Sequence, residues 1–110
     1  MEKLVKGDVV VLPFPFSDLS ASKKRPALVI SPLDGDDLIL CQITSQLRQD
    51  KYSIVLTNFD FKQGNLKVES NIRPNKLFTA ERSLIQYKIG SIKDKKLKEV
   101  IDSICDVIKK

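Results

Sequence analysis

Short runs of β-branched and aromatic residues, separated by turn residues, occupy most of this 110-residue chain. Runs of this kind predict β-strands that are half or fully buried. The predicted strands are Asp8–Phe14, Ala27–Ser31, Leu38–Ile43, Tyr52–Thr57, Leu66–Glu69 and Ile72–Thr79. Turns are expected at Asp34–Asp37 and Gly64–Asn65, and Pro74 places its segment at a sheet edge or a bulge. Many short strands with tight turns favour a small barrel or a strongly curved sheet.

The C-terminal segment has a helical period instead. Its apolar residues recur every three or four positions, at Leu97, Val100, Ile101, Ile104, Cys105 and Ile108. Ser91 and Asp94 have the spacing of a capping box that would begin this helix. The chain is therefore predicted to be mainly β with a C-terminal α-helix. Its length and the lack of a linker or repeat predict a single domain over residues 1–110.

Composition narrows the classes of function. The chain has 19 Lys and Arg against 14 Asp and Glu, a formal charge of +5 that favours a polyanion such as nucleic acid as partner. It has no histidine and only two cysteines, Cys41 and Cys105, both expected to be small core residues. No metal or other cofactor is therefore expected. The sequence shows neither a membrane span nor a signal peptide, so a cytoplasmic protein is expected.

A basic loop is predicted between the first two strands. It ends in Lys23, Lys24 and Arg25, and Pro26 favours an extended backbone at Arg25. A guanidinium held there can donate two hydrogen bonds to phosphate oxygens. A basic loop alone is more often simply solvated. The polar run 44–46 at the end of the third predicted strand shifts the balance towards a phosphodiester site.

Such a site suits RNA cleavage in particular. When the 2′-hydroxyl of RNA attacks the neighbouring phosphate, the nucleophile belongs to the substrate. The protein then has to align the chain and stabilise negative charge on the phosphate. An arginine and a hydroxyl can do both, whereas the general base is left open by the residues present.

Phenylalanines form two alternating pairs in the sequence. Phe14 and Phe16 alternate with prolines and project to one face of an extended segment. Phe14 is expected to pack in the core, and Phe16 suits the core or a stacking platform for an unpaired base about equally. Phe59 and Phe61 are candidates for a dimer surface.

At these motifs the chain resembles the MazF/PemK family of toxin ribonucleases. The family opens with Gly and an acid, a hydrophobic strand, a polar loop and Arg-Pro followed by apolar residues. The matching segments are Gly7–Leu12, Arg25–Val29, Ile43–Ser45, Ser70–Leu84 and Ile89–Ile92. Together they span most of the chain.

The resemblance implies a small SH3-like barrel of the MazF/PemK/CcdB toxin type. It also implies a homodimer, inhibition by a cognate antitoxin protein, and metal-independent cleavage of single-stranded RNA at short motifs. By position, Arg25 would be the catalytic arginine and Thr44 the group that stabilises the transition state. The predicted RNA-binding residues are Lys23, Lys24, Ser45, Gln46, Arg73, Asn75 and Phe16.

An alternative function is a non-catalytic binding module on the same scaffold. Such a module would be an inactive relative or an inhibitor of a protein target, as the gyrase-poisoning toxins of similar fold are. The presence of both Arg25 and Thr44 favours the enzyme. Asn75 favours the binding module, because some family members carry an acid at this position and an amide cannot exchange a proton.

Overall fold

A computed structural model describes residues 3–15, 22–45 and 51–110. Within these ranges the chain forms seven strands and one α-helix, with short 3₁₀ turns at Asn58–Asp60 and Arg82–Leu84. The elements are β1 Asp8–Pro15, β2 Ser22–Pro32, β3 Asp37–Thr44, β4 Ile54–Leu56, β5 Phe61–Gly64, β6 Ser70–Glu81, β7 Tyr87–Ile92 and α1 Asp94–Lys109.

The strands form one antiparallel sheet in the order β4-β6-β3-β2-β1-β7-β5. Its two outer strands, β4 and β5, are consecutive in the chain and are joined by the short turn that follows Thr57. So short a connection forces the ends of the sheet towards each other, and the sheet curls. The predicted fold class, a small curved β-barrel with a C-terminal helix, is confirmed.

Curling of the sheet buries both faces of its central strands. Leu28 of β2 belongs to a hydrophobic cluster with Val100 and Ile104 of α1. The next residue on the other face, Val29, belongs to a second cluster, in which Phe14 packs edge-on against Phe78 with ring centroids 4.9 Å apart. The predicted core position of Phe14 is confirmed, since the side chain is buried.

Several local predictions are wrong. Residues 66–69 form no strand; β5 lies just before them instead and pairs with β7. The capping box at Ser91 is absent, because α1 begins after Lys93 and the Ser91 hydroxyl instead donates a hydrogen bond to the buried carboxylate of Asp8 at 2.8 Å. The backbone N–H of Lys93 donates to the Asp60 carbonyl at 2.7 Å, and this bond joins the start of α1 to the turn before β5.

Residues that share a sequence pattern differ in their solvent exposure. Phe61 is 7% exposed and packs in the core, so its predicted place on a dimer surface is wrong, whereas Phe59 is 86% exposed. Cys41 is buried as predicted, but Cys105 is exposed because it lies beside, and not within, the stripe of α1 that contacts the sheet.

Pro74 lies in a large bulge of β6. Cys41 of β3 pairs with Leu77, yet Ile43 pairs with Ile72, so residues 73–76 lie opposite Gln42 alone. Of the two positions predicted for Pro74, the bulge is the one observed. A proline is tolerated there because its missing N–H is not needed for the ladder.

Candidate active site

A cleft of about 310 Å³ opens where β2 and β3 meet the start of β6. We call it the basic cleft: it is lined by residues 23–26, residues 43–45 and Ser70. The predicted catalytic pair, Arg25 and Thr44, therefore lies in one cleft, together with the predicted RNA-binding residues Lys23, Lys24 and Ser45.

Strand register explains how distant segments meet in this cleft. Ala27 of β2 pairs with Gln42 of β3. Continuing this antiparallel register by two residues places Arg25 opposite Thr44. The basic residues were predicted to end a loop, but they lie within β2, which begins at Ser22. A strand holds them more rigidly than a loop would, which favours a pre-organised site.

The basic cleft is strongly positive. Lys23 and Lys24 are exposed, Arg25 is half-buried with its Nε buried, and Thr44 is only 3% exposed. Among the described residues that line the cleft, none is acidic. Two lysines beside a partly buried guanidinium attract a phosphate, and low solvent exposure strengthens the hydrogen bonds that the guanidinium donates.

A larger cleft, of about 470 Å³, lies elsewhere. Its lining includes Gln63 and Gly64 at the end of β5 and residues 85–90, which lead into β7 and form its first part. Its cation, Lys88, has its Nζ 3.3 Å from the buried carboxylate of Asp8. Because this carboxylate neutralises the charge, the larger cleft lacks the potential that favours a phosphate. Charge and hydroxyl chemistry, not size, identify the basic cleft as the candidate site.

Two predicted RNA-binding residues within the described ranges, Arg73 and Asn75, do not line the basic cleft. Arg73 is 8% exposed and follows Ile72 into the β6 bulge, and Asn75 is exposed in the same bulge. Phe16 and Gln46 lie outside the described residues. RNA contacts by these four residues remain predictions.

Ser70 is a cleft residue that the sequence did not indicate. It starts β6, is 4% exposed, and donates its hydroxyl hydrogen to the carbonyl oxygen of Val68 at 3.0 Å. No local motif identifies it, since a serine before a strand most often serves a turn. Only the pairing of β6 with β3 brings it to the cleft.

Cys41 supports the bulge next to the cleft. Its thiol donates a hydrogen bond to the Arg73 carbonyl at 2.9 Å. Burial raises the pKa of the Cys41 thiol to about 12, although the hydrogen bond and the charge of Arg73 act in the opposite direction. Because the thiol ionises more easily in the unfolded chain, its contribution to stability is complete below the ordinary thiol pKa. That contribution is lost as the pH rises towards 12.

The two thiols should therefore differ in reactivity. With iodoacetamide at mildly alkaline pH, we expect rapid alkylation of Cys105 and protection of Cys41 until the protein is unfolded, because the thiolate is the reactive form. Mass spectrometry of peptides from protein alkylated with and without denaturant measures the modification of each cysteine. Alkylation of Cys41 in the native protein at the rate of Cys105 would contradict this assignment.

Two kinds of feature are absent from residues 3–15, 22–45 and 51–110. No group of three or more His, Cys, Asp or Glu side chains is placed to hold a metal ion there. No helix in these ranges is long and apolar enough to cross a membrane.

Several solved structures share this fold. An endoribonuclease in complex with its cognate antitoxin, from a mycobacterial species, superposes with a TM-score of 0.77 at 10% identity, over 97% of this chain and 96% of that one. MazF from Deinococcus radiodurans also gives 0.77, at 20% identity over 100% of both chains. The MazE–MazF complex of the same organism gives 0.75 at 20% identity, over 96% of each.

The curved sheet, the terminal helix and the basic cleft thus define a small β-barrel protein of the toxin type. No curated protein matches the sequence significantly. The family described as the PemK-like, MazF-like toxin of type II toxin-antitoxin systems matches residues 5–108, and the chain belongs to that family.

Proposed function

We propose that this protein is an endoribonuclease that cleaves single-stranded RNA at short motifs by attack of the substrate's own 2′-hydroxyl, without a metal cofactor. One observation carries the proposal: the fold brings Arg25 and Thr44, from separate strands, into one positively charged cleft. Membership of the toxin family supports it. So does the similar fold of the mycobacterial endoribonuclease, which is 10% identical to this chain.

In the proposed reaction the 2′-hydroxyl loses its proton and its oxygen forms a bond to phosphorus, while the bond from phosphorus to the 5′-oxygen breaks and that oxygen gains a proton. Negative charge increases on the non-bridging oxygens in the transition state. The Arg25 guanidinium and the Thr44 hydroxyl donate hydrogen bonds to those oxygens, whereas Lys23 and Lys24 attract the backbone on either side. The products carry a 2′,3′-cyclic phosphate and a 5′-hydroxyl.

The decisive experiment incubates the purified protein with a long single-stranded RNA of known sequence in EDTA. Mapping the new ends gives the cleavage motif, and chemical analysis of the ends gives the mechanism. Single-stranded DNA of the same sequence, which lacks the nucleophile, is the matched control and should stay intact. Products with 5′-phosphate ends that form only with added metal would reject the mechanism. Intact RNA that is nevertheless bound would favour the non-catalytic binding module.

The proposed partners are a cognate antitoxin protein and a second copy of this chain, and the proposed location is the cytoplasm. The +5 charge and the basic cleft support an acidic antitoxin segment that occupies the cleft and excludes RNA. A complex with the antitoxin that still bound RNA with unchanged affinity would contradict this part of the proposal.

A homodimer in solution is expected, because the structure exposes an apolar patch. Phe59 is 86% and Val68 60% exposed, and the two residues line the same groove of about 260 Å³. Burial against a symmetric copy would remove this apolar surface from water. Light scattering at micromolar concentration should give twice the monomer mass, and Phe59→Ser should lower it towards the monomer. A monomer for the unmodified chain would contradict the prediction.

A further inference from the structure

Gln42 is a nearly buried amide beside the proposed catalytic pair. It lies in β3 two residues before Thr44, so both side chains project from the same face of the strand. Gln42 pairs with Ala27 of β2, and Arg25 lies two residues before Ala27 on that face. Diagonal neighbours of this kind are about 7–8 Å apart, within reach of long side chains. Strand pairing therefore places Arg25, Thr44 and Gln42 together on one face of the sheet.

The Gln42 amide makes no hydrogen bond within the described part of the chain, although the residue is only 8% exposed. Its nitrogen and oxygen are not among the fully enclosed polar atoms that lack a partner in that part of the chain, so the amide itself reaches the surface. Polar groups that are buried to this extent are normally paired in proteins. The position therefore favours a group from outside the chain as the partner of the amide.

The surroundings of Gln42 leave the amide open on one side. Ala27, across from it in β2, and Leu40, two residues earlier in β3, are completely buried in the second hydrophobic cluster. Towards β6 the ladder is interrupted, because residues 73–76 bulge opposite Gln42. The space open to the amide thus lies on the side of Thr44 and the bulge, next to the basic cleft.

An amide recognises a different chemistry from the other groups at this site. Lys23, Lys24 and Arg25 only donate hydrogen bonds, which suits the oxygens of a phosphate. A glutamine amide presents a donor and an acceptor side by side in one plane, and this pair matches the edge of a nucleobase. Unpaired bases of single-stranded RNA are recognised through such edges.

We infer that the Gln42 amide pairs with the edge of an unpaired base next to the cleaved phosphate and so determines which base is accepted there. The inference rests on the proposed function and deepens it, because it names a residue that sets part of the cleavage motif. In this role Gln42 contacts neither the attacking oxygen nor the leaving oxygen. It acts on the choice of cleavage site and not on the reaction at phosphorus.

Two variants of similar size test this role. Gln42→Met keeps the length of the side chain and loses both hydrogen-bonding atoms, whereas Gln42→Glu keeps an acceptor and loses the donor. Cleavage of an RNA pool with randomised positions around the cut, followed by sequencing of the ends, gives the base preference at each position. In Gln42→Met the preference at one position should fall about tenfold, as for loss of a bidentate contact to a base, while the other preferences persist. In Gln42→Glu it should shift towards guanine, whose N1–H and N2–H are adjacent donors.

A control and a fold measurement complete the test. Gln86→Met changes an exposed glutamine that lines the larger cleft, and it should keep the whole motif. A merely structural role of Gln42 would slow cleavage of all sequences alike and leave the motif intact, which would overturn the inference. Thermal unfolding shows which variants are folded. If Gln42→Met does not fold, the preference of Gln42→Glu decides the question, because an unchanged motif in that variant also overturns the inference.

The outcomes separate this inference from the proposed function. If the unmodified protein cleaves RNA at a motif and the folded Gln42 variants keep that motif, only the role of Gln42 fails. If the unmodified protein cleaves no RNA, the proposed function fails and the role of Gln42 fails with it.

Discussion

Arg25→Ala is expected to lower the rate of RNA cleavage by at least ~10²-fold, a loss of about 2.7 kcal/mol in transition-state stabilisation, as for removal of one pre-organised charge-stabilising donor. The guanidinium lies in the basic cleft with Thr44 and is half-buried, so water replaces it poorly. RNA binding should fall much less, because Lys23 and Lys24 remain to attract the backbone. Single-turnover cleavage of end-labelled RNA and a separate binding titration measure the two effects.

Controls distinguish the guanidinium from charge in general. Arg25→Lys keeps the charge but loses the planar fork, so its rate should lie between those of the unmodified protein and Arg25→Ala. Arg82→Ala removes an arginine from the turn before β7, away from the basic cleft, and should cleave normally. Because Arg25 is half-buried, the thermal unfolding of each variant must be measured together with its rate of RNA cleavage. Full activity of a folded Arg25→Ala protein would reject Arg25 as the catalytic arginine.

The second large effect is expected at Gly64, where β5 meets β7. Gly64 has φ +77° and pairs with Gly90, and an added Cβ would overlap the carbonyl oxygen of Ile89 and lie 2.7 Å from the Cα of Gly90. Gly64→Ala therefore combines backbone strain with a clash against backbone atoms that cannot rotate away. Gly35→Ala is a matched control, since Gly35 has φ +84° with nothing within 4 Å of an added Cβ.

Gly35→Ala should lower the free energy of unfolding by about 1–2 kcal/mol, the cost of a left-handed conformation for an L-residue. Gly64→Ala should lower it by about 1–3 kcal/mol more, the usual range for overpacking. Urea denaturation of the three proteins measures both differences. Equal losses in the two variants would show that β5 moves away from β7 at little cost, contrary to the close packing of these two strands.

Local sequence patterns were reliable where a pattern had one structural solution. The alternating β-branched runs predicted β1, β2, β3, β4 and β6, and the helical period predicted α1. The Asp34–Asp37 segment was a turn because Gly35 alone takes the positive φ easily there. Arg25 and Thr44 could be chosen as partners from the chemistry of their side chains, since a guanidinium and a hydroxyl are the groups that a phosphodiester needs.

Patterns failed where pairing between distant strands decided the outcome. Residues 66–69 were predicted to form a strand, but the segment that pairs with β7 is β5, which ends before them. Cys105 matched the helical period yet is exposed, because periodicity marks a broad stripe and packing uses only part of it. Phe59 and Phe61 alternate in the sequence, but Phe59 lies in the 58–60 turn and is exposed, whereas Phe61 begins β5 and is buried.

The sequence by itself determined the mainly β architecture, the terminal helix, the positive charge and the identity of the two residues proposed for catalysis, because these depend on local preference and side-chain chemistry. Only the tertiary structure decided that Arg25 and Thr44 lie in one cleft. Strand register is set by burial over the whole sheet, and a shift of one residue would turn each of these side chains to the opposite face. No local segment of the sequence carries that information.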